Sequence, residues 1–194
     1  MKKLILSAAI AVFGFTGVMA QEFSFGAKAG VNFATLNGDV EDNDMKVGFH
    51  VGGVAEIKFN DKFALQPELL FSTQGTKWED GDLELKYNLS YINVPVMAKF
   101  FPIEGFSIEA GPQVGFLVDS KAKAEFNGES ESADIDDLST IDFGINFGLG
   151  YKMDMGLFFN GRYNLGLSNV YDGPNSDDNN ISNGVIQLSV GYMF

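Results

Sequence analysis

The chain has 194 residues, no cysteine and a formal net charge of −13, from 13 Lys+Arg against 26 Asp+Glu. Disulfide frameworks and thiol chemistry are excluded. The acidic balance argues against a nucleic-acid partner, which selects a basic face.

The first stretch, MKKLILSAAIAVFGFTGVMA, carries Lys2 and Lys3, an apolar run from Leu4 to Val18, and the small Ala20. That pattern predicts a secretory signal peptide over residues 1–20, cut after Ala20, with residues 21–194 as one domain. The apolar run is short for a membrane helix, which needs about 20 residues. Removal takes two lysines and no acid, so the net charge moves from −13 to −15.

From there on, apolar residues recur at every second position, the period of a strand. The first run sets Phe23, Phe25, Ala27, Ala29, Val31 and Phe33 against Ser24, Gly26, Lys28, Gly30 and Asn32. The second opposes Val47, Phe49, Val51, Ala55, Ile57 and Phe59 to His50, Gly52, Glu56 and Lys58. The third opposes Phe63, Leu65, Leu69 and Phe71 to Gln66, Glu68, Ser72 and Gln74. In the fourth, Ile92, Val94, Val96, Ala98 and Phe100 oppose Tyr91, Asn93, Met97 and Lys99. Its upper part, Leu85-Tyr87-Leu89, has the opposite phase and predicts a bulge or an emergence into water. The fifth opposes Phe106, Ile108, Ala110, Val114 and Phe116 to Ser107, Glu109, Gly111 and Gln113.

The sixth opposes Ile141, Phe143, Ile145, Phe147, Leu149 and Tyr151 to Asp142, Gly144, Asn146 and Gly148. The seventh opposes Leu157, Phe159, Tyr163 and Leu165 to Asn160, Arg162, Asn164 and Gly166. The eighth, VIQLSVGYMF, opposes Ile186, Leu188, Val190, Tyr192 and Phe194 to Gln187, Ser189, Gly191 and Met193. Pro67, Pro95 and Pro112 fall inside runs, each removes a ladder donor, and local bulges are expected there.

Connections alternate in length. FNDKF, FPIEGF and YKMDM are tight, whereas 37–46, 75–84, 119–138 and 168–182 are long, polar and acidic. Eight runs with short turns at one end and long loops at the other predict an all-β, closed, antiparallel eight-stranded transmembrane barrel. Eight strands leave an interior just wide enough for side chains to fill. The Phe- and Leu-bearing face is too bulky for that space, so it should face lipid. Aromatic residues at both ends of the runs suit the two interfacial girdles.

The stretches FGAKAGVNFATL, LQPELLFSTQG, YINVPVMAKF, IEAGPQVGFLV, FGINFGLGY and GRYNLGLSNV together resemble the PorT-like "porin family" of outer-membrane β-barrel proteins, related in architecture to OmpX and the OmpA barrel. The resemblance implies a multi-pass barrel in the outer membrane of a Gram-negative cell. It implies contact with outer-membrane lipids and lipopolysaccharide. The terminal GYMF resembles the signal read by the barrel-assembly machinery, which assigns Tyr192 and Phe194 that role. Fold and location follow from the resemblance; a function does not.

Candidate chemistry falls into three groups. Lys28, Glu56, Lys58, Glu68, Lys99, Glu109, Asp142 and Arg162 share the small-residue face. They are expected to form a structural salt-bridge plug that does not conduct; the rival for this set is a gate or proton path, and for the protein as a whole a small pore. His50, the single histidine, is expected as a polar plug or rim residue of the lumen. Its rival is a lipid-modifying site with Ser72 or Asp44. Asp39, Glu41, Asp42 and Asp44 in the first acidic loop offer hard oxygen ligands for a divalent cation, but the spacing of an EF-hand loop is missing. No catalytic residue and no cofactor is expected. The reading is a non-enzymatic surface protein acting through acidic loops on an unidentified ligand or partner.

Overall fold

The computed structural model describes residues 22–38, 44–80, 83–126, 129–135, 138–173 and 181–194. The expected signal peptide and the acidic residues Asp39, Glu41 and Asp42 lie outside them. Among the described residues nine antiparallel strands form one sheet: β1 (Glu22–Gly38), β2 (Asp44–Asn60), β3 (Phe63–Asp80), β4 (Leu83–Ile103), β5 (Phe106–Phe126), β6 (Glu129–Asp134), β7 (Ile141–Lys152), β8 (Leu157–Gly166) and β9 (Ile181–Met193). Eight of them close a ring, with β5 paired to both β4 and β7 and β1 paired to both β2 and β9. The closing ladder runs from Gly26↔Met193 to Gly38↔Ile181. Closure removes sheet edges from the ring, so no backbone group there needs water.

The tight turns follow local chemistry. The Asn60 side-chain oxygen accepts the backbone N–H of Lys62 at 2.8 Å and of Phe63 at 3.0 Å, which reverses the chain between β2 and β3. Gly105 (φ 76°) and Gly156 (φ 92°) supply left-handed backbone at the other two short turns, a conformation L side chains avoid.

Side-chain direction follows the period-two pattern. Phe25, Phe49, Leu69, Phe147, Leu149 and Leu188 are each about half exposed on the outside of the ring. Lys28, Asn32, His50, Glu56, Gln66, Glu68, Asn146 and Arg162 are buried inside it. The apolar-out arrangement is the one expected of a barrel in lipid. At the short-turn end Phe63 and Phe100 stack with ring centroids 5.2 Å apart, as a girdle would.

Two features depart from the sequence reading, and a third locates the bulge it expected near Leu85–Leu89. First, ladders run through 75–84 and 119–138, taken above as loops: β3 and β4 stay paired to Asp80↔Leu83, and β4 and β5 to Leu83↔Phe126. β6 then adds to the free side of β5. Beyond its last partner in β7, at Phe116↔Ile141, β5 continues for ten residues, about 33 Å of strand. At the base of this wall Gln74 and Thr76 are buried and Leu117 packs against an apolar cluster; farther out half-buried and exposed residues fall on both faces, so no clean alternation marks it. Second, the three prolines cause no register shift. Each interrupts one ladder, opposite Ala55, Glu68 and Val96, and the pairing on either side keeps the same register. Third, the phase change at Leu85–Leu89 is met by a bulge on the neighbour: Ser90 pairs with Asp119 and Tyr91 with Leu117, which leaves Val118 as the extra residue.

Candidate functional site: the lumen plug

Inward positions of seven ring strands bring their charges together. Arg162 of β8 reaches across the barrel to Glu68 of β3 as a two-point pair, Nη1 to Oε2 at 3.1 Å and Nη2 to Oε1 at 2.9 Å. Its Nη2 also donates to Glu109 Oε2 at 3.2 Å. Lys28 of β1 places Nζ 2.8 Å from Glu68 Oε2, an ion pair outside hydrogen-bond geometry. Lys99 of β4 donates to Glu56 Oε2 at 2.8 Å and to Gln66 Oε1 at 2.9 Å, and lies 3.5 Å from Glu109. Gln66 passes the chain on to Glu68 at 2.8 Å. Lys152 of β7 donates to Glu56 Oε1 at 2.6 Å.

Four cations thus meet three carboxylates across β1, β2, β3, β4, β5, β7 and β8, one positive charge in excess, with the Lys152 side chain the one partly open to solvent. A buried ion pair repays its desolvation only with good geometry and further hydrogen bonds. The two-point Arg162–Glu68 contact and the Gln66 and Ser107 bonds supply them; Ser107 donates to Glu109 Oε1 at 3.0 Å.

Two expected members stand elsewhere. Lys58 sits half-buried near the short turn, 4.0 Å from the exposed Asp61. Asp142 faces inward but lies at the loop end, where it bonds Ser168 and Asn183. Lys152 and Gln66 belong to the network although sequence reasoning left them out of it. Lys152 follows the outward Tyr151, so parity alone places it inside.

His50 takes the plug position of the two expected for it, rather than the rim. It is 1% exposed and lies between Asn32 Oδ1, 2.7 Å from Nδ1, and Ser189 Oγ, 2.8 Å from Nε2. Asn32 Nδ2 donates to Ser72 Oγ at 2.9 Å, and Gln187 Nε2 donates to Asn32 Oδ1 at 3.2 Å. Ser72, named above as a possible partner, is thus one step removed, and Asp44 is an exposed residue opposite Lys77 at the start of β2. The order Ser189–His50–Asn32 is that of a nucleophile, a base and an orienting group. All three are buried, and Gly30 packs so closely that an added Cβ would lie 2.6 Å from His50 Cε1. The set therefore acts as a packed tie from β9 to β2 and β1. His50→Ala strands the polar atoms of Asn32 and Ser189. It should cost about 1–3 kcal/mol, read as a lower urea midpoint for unfolding from lipid vesicles; an unchanged midpoint contradicts the tie.

Two apolar clusters lie on the inward side of the ring, a feature the sequence reading did not contain. Val54, Phe158 and Met193 cluster toward the short turns. Leu89, Tyr91 and Val170 cluster at the loop end, with Leu36, Leu117, Ile135 and Leu138 packed against them. Backbone bonds hold this cap: Leu138 bridges Tyr171, and the Ser139 N–H donates to Val170 O at 2.9 Å.

Among the described residues no group of three or more His, Cys, Asp or Glu side chains converges as a metal site. Tyr192 and Phe194 lie on the outer face with ring centroids 5.7 Å apart.

Known proteins share this architecture. The Yersinia pestis attachment invasion locus protein Ail aligns with 19% identity and a TM-score of 0.55, covering 89% of this chain and 99% of Ail. Neisserial surface protein A aligns with 15% identity and a TM-score of 0.60, again covering 89% of this chain and 99% of the other. A second Ail structure, in complex with the heparin analogue sucrose octasulfate, aligns with 18% identity and a TM-score of 0.51, covering 91% and 100%. At these identities the likeness is one of fold. No curated protein matches the chain. The family model described as "Outer membrane protein beta-barrel domain" matches residues 19–172. That match takes in most of the closed ring, and the chain belongs to the outer membrane protein β-barrel domain family.

Proposed function

We propose that the chain is a non-conducting, non-enzymatic outer-membrane protein that acts through its loop-end surface. The observation that carries this reading is the lumen: an ion network spanning seven strands, buried except at Lys152, with an apolar cluster packed over the loop end and another toward the short turns. Such an interior supports the sheet and leaves no continuous water path. In the same reading, residues 1–20 are removed on export, Tyr192 and Phe194 guide assembly, and the outward aromatics sit among outer-membrane lipids and lipopolysaccharide. The PorT-like resemblance enters as architecture, without a secretion role.

The β3–β6 wall is the surface offered to a partner. It carries Asp119, Glu125, Glu131 and Asp134 beside Lys121 and Lys123, in a chain of net charge −13. Ail has been crystallised with the heparin analogue sucrose octasulfate; the acidic balance here favours a cationic partner by simple Coulomb attraction.

Planar-bilayer recording tests the plug. Reconstituted protein at neutral pH should give no stable single-channel steps above the lipid baseline. Reproducible steps of uniform size would support the small-pore alternative instead. A His50→Ala strain should leave lipid A and phospholipid composition unchanged, which separates this reading from a lipid-modifying enzyme.

A further inference from the structure

Beyond the ring, the register of β3, β4 and β5 collects charges of one sign into rows. Lys86 of β4 stands directly opposite Lys77 of β3 and Lys123 of β5. Two residues farther from the ring, Glu84 of β4 stands opposite Glu79 of β3 and Glu125 of β5. On β6, Ser132 and Ser130 continue the two rows, opposite Lys123 and Glu125. Residues two apart in a strand share a face, so both rows lie on one side of the wall, about 7 Å apart. Leu89, of opposite parity in β4, packs in the loop-end cluster. The charged face is therefore the one turned away from the barrel axis.

Like charges directly opposite across a ladder destabilise a sheet. The register sets four such pairs here, and alternating the signs along each row would remove them all. Relief comes along the strands instead. Lys86 Nζ lies 2.6 Å from Glu84 Oε2, and Lys123 Nζ lies 3.4 Å from Glu125 Oε2. These four side chains stay between 25% and 40% exposed. A charge order that opposes local stability and stays open to solvent marks a surface kept for a partner.

The complement of this face carries the same two rows in the opposite order. A second copy of the wall supplies it when turned end over end, about an axis parallel to the membrane. Its glutamate row then lies on the first copy's lysine row, and its lysine row on the first copy's glutamate row. The contact is isologous, the same patch serving both sides. A copy in the same membrane, related by an axis along the membrane normal, would meet lysine with lysine and glutamate with glutamate, a repulsive match. We propose that this face is a self-recognition surface joining two copies of the chain in apposed membranes, with Lys86 and Lys123 of each paired to Glu84 and Glu125 of the other. The inference rests on the loop-end surface proposed above and goes beyond its cationic partner, which follows from net charge alone. Each copy is acidic overall, so two copies repel at a distance. At about 0.15 M salt the screening length is about 8 Å; the distant repulsion is then screened while ion pairs in contact persist.

The test is clumping of lipid vesicles carrying the mature protein, read as energy transfer between donor-dyed and acceptor-dyed populations. Wild-type vesicles should give about threefold more transfer at about 0.15 M NaCl than at about 0.01 M, and lose it at about 1 M. Lys86→Glu/Lys123→Glu makes the face mainly anionic, and Glu84→Lys/Glu125→Lys makes it mainly cationic. Vesicles of either variant alone should stay apart, and a mixture of the two should clump as the wild type does. Absence of wild-type clumping overturns the proposal, as does clumping retained in either variant alone or a mixture of folded variants that stays apart. If a reversal variant does not fold, Lys86→Gln/Lys123→Gln and Glu84→Gln/Glu125→Gln replace the pair. Loss of transfer in both supports the surface, and retention in either overturns it. Such a failure leaves the non-conducting reading intact, because that reading falls on single-channel steps instead.

Discussion

Arg162→Met should destabilise the barrel by about 3–5 kcal/mol, the cost of removing one partner from a buried ion cluster. The side chain is 1% exposed and holds Glu68 by two hydrogen bonds and Glu109 by a third. Removal leaves Lys28 to serve Glu68 and Lys99 to serve Glu109, the latter at 3.5 Å. Methionine keeps much of the volume, so the loss is mostly electrostatic. The companion variant Arg162→Met/Glu68→Gln/Lys28→Met removes the stranded carboxylate together with its other cation and leaves Lys99 and Lys152 facing Glu56 and Glu109. Because replacing a whole buried cluster by neutral groups is often close to neutral, this triple variant should recover a large part of the loss. Urea unfolding from lipid vesicles reads both. A triple variant less stable than Arg162→Met would mean that the charges themselves, rather than their balance, hold the plug together.

Leu188→Arg should weaken folding into bilayers by about 2–4 kcal/mol, the depth-dependent cost of a lipid-facing arginine near mid-membrane. Leu188 is 51% exposed on the outer face of β9, between Val31 on β1 and Gly161 on β8. Leu188→Phe should be close to neutral, since it exchanges one apolar side chain for another on an unconfined face. A water-filled surrounding would reverse the ranking and favour arginine. The neighbour Gln187 is no harmless control. It is 2% exposed, bonds Asn32 and stands in register with Arg162. Gln187→Arg would therefore bring two cations together in the lumen and carry its own cost.

The ring was legible in the sequence because lipid on one side and a packed lumen on the other impose period two on every strand. Leu188 against Gln187 and Phe147 against Asn146 are enough to state which face is which. Outside the membrane that contrast ends. In the outer wall, from Val118 to Glu125, half-buried and exposed residues fall on both faces, so nothing in its composition distinguishes a strand from a loop.

Membership of the inner face was legible too, but partnership was not. Glu68 and Arg162 are 94 residues apart in the chain, and only the tilt and register of eight strands decide that they meet. Asp142 shares their face and parity, yet its height places it with Ser168 and Asn183 instead. The apolar clusters were hidden for a related reason. Val54, Phe158 and Leu89 lie on the inward side among polar neighbours, where an alternation rule expects small or polar residues.

The central claim is that hydrocarbon surrounds the Phe- and Leu-bearing side of this sheet. The chain has no cysteine, so single cysteines carrying a nitroxide can be introduced at positions 186 to 190 and measured in reconstituted vesicles. The account predicts that collisions with oxygen, which concentrates in lipid, are frequent at Ile186, Leu188 and Val190 and rare at Gln187 and Ser189. A polar nickel reagent should reach none of the three outward positions. High nickel accessibility at Ile186, Leu188 and Val190 would contradict it.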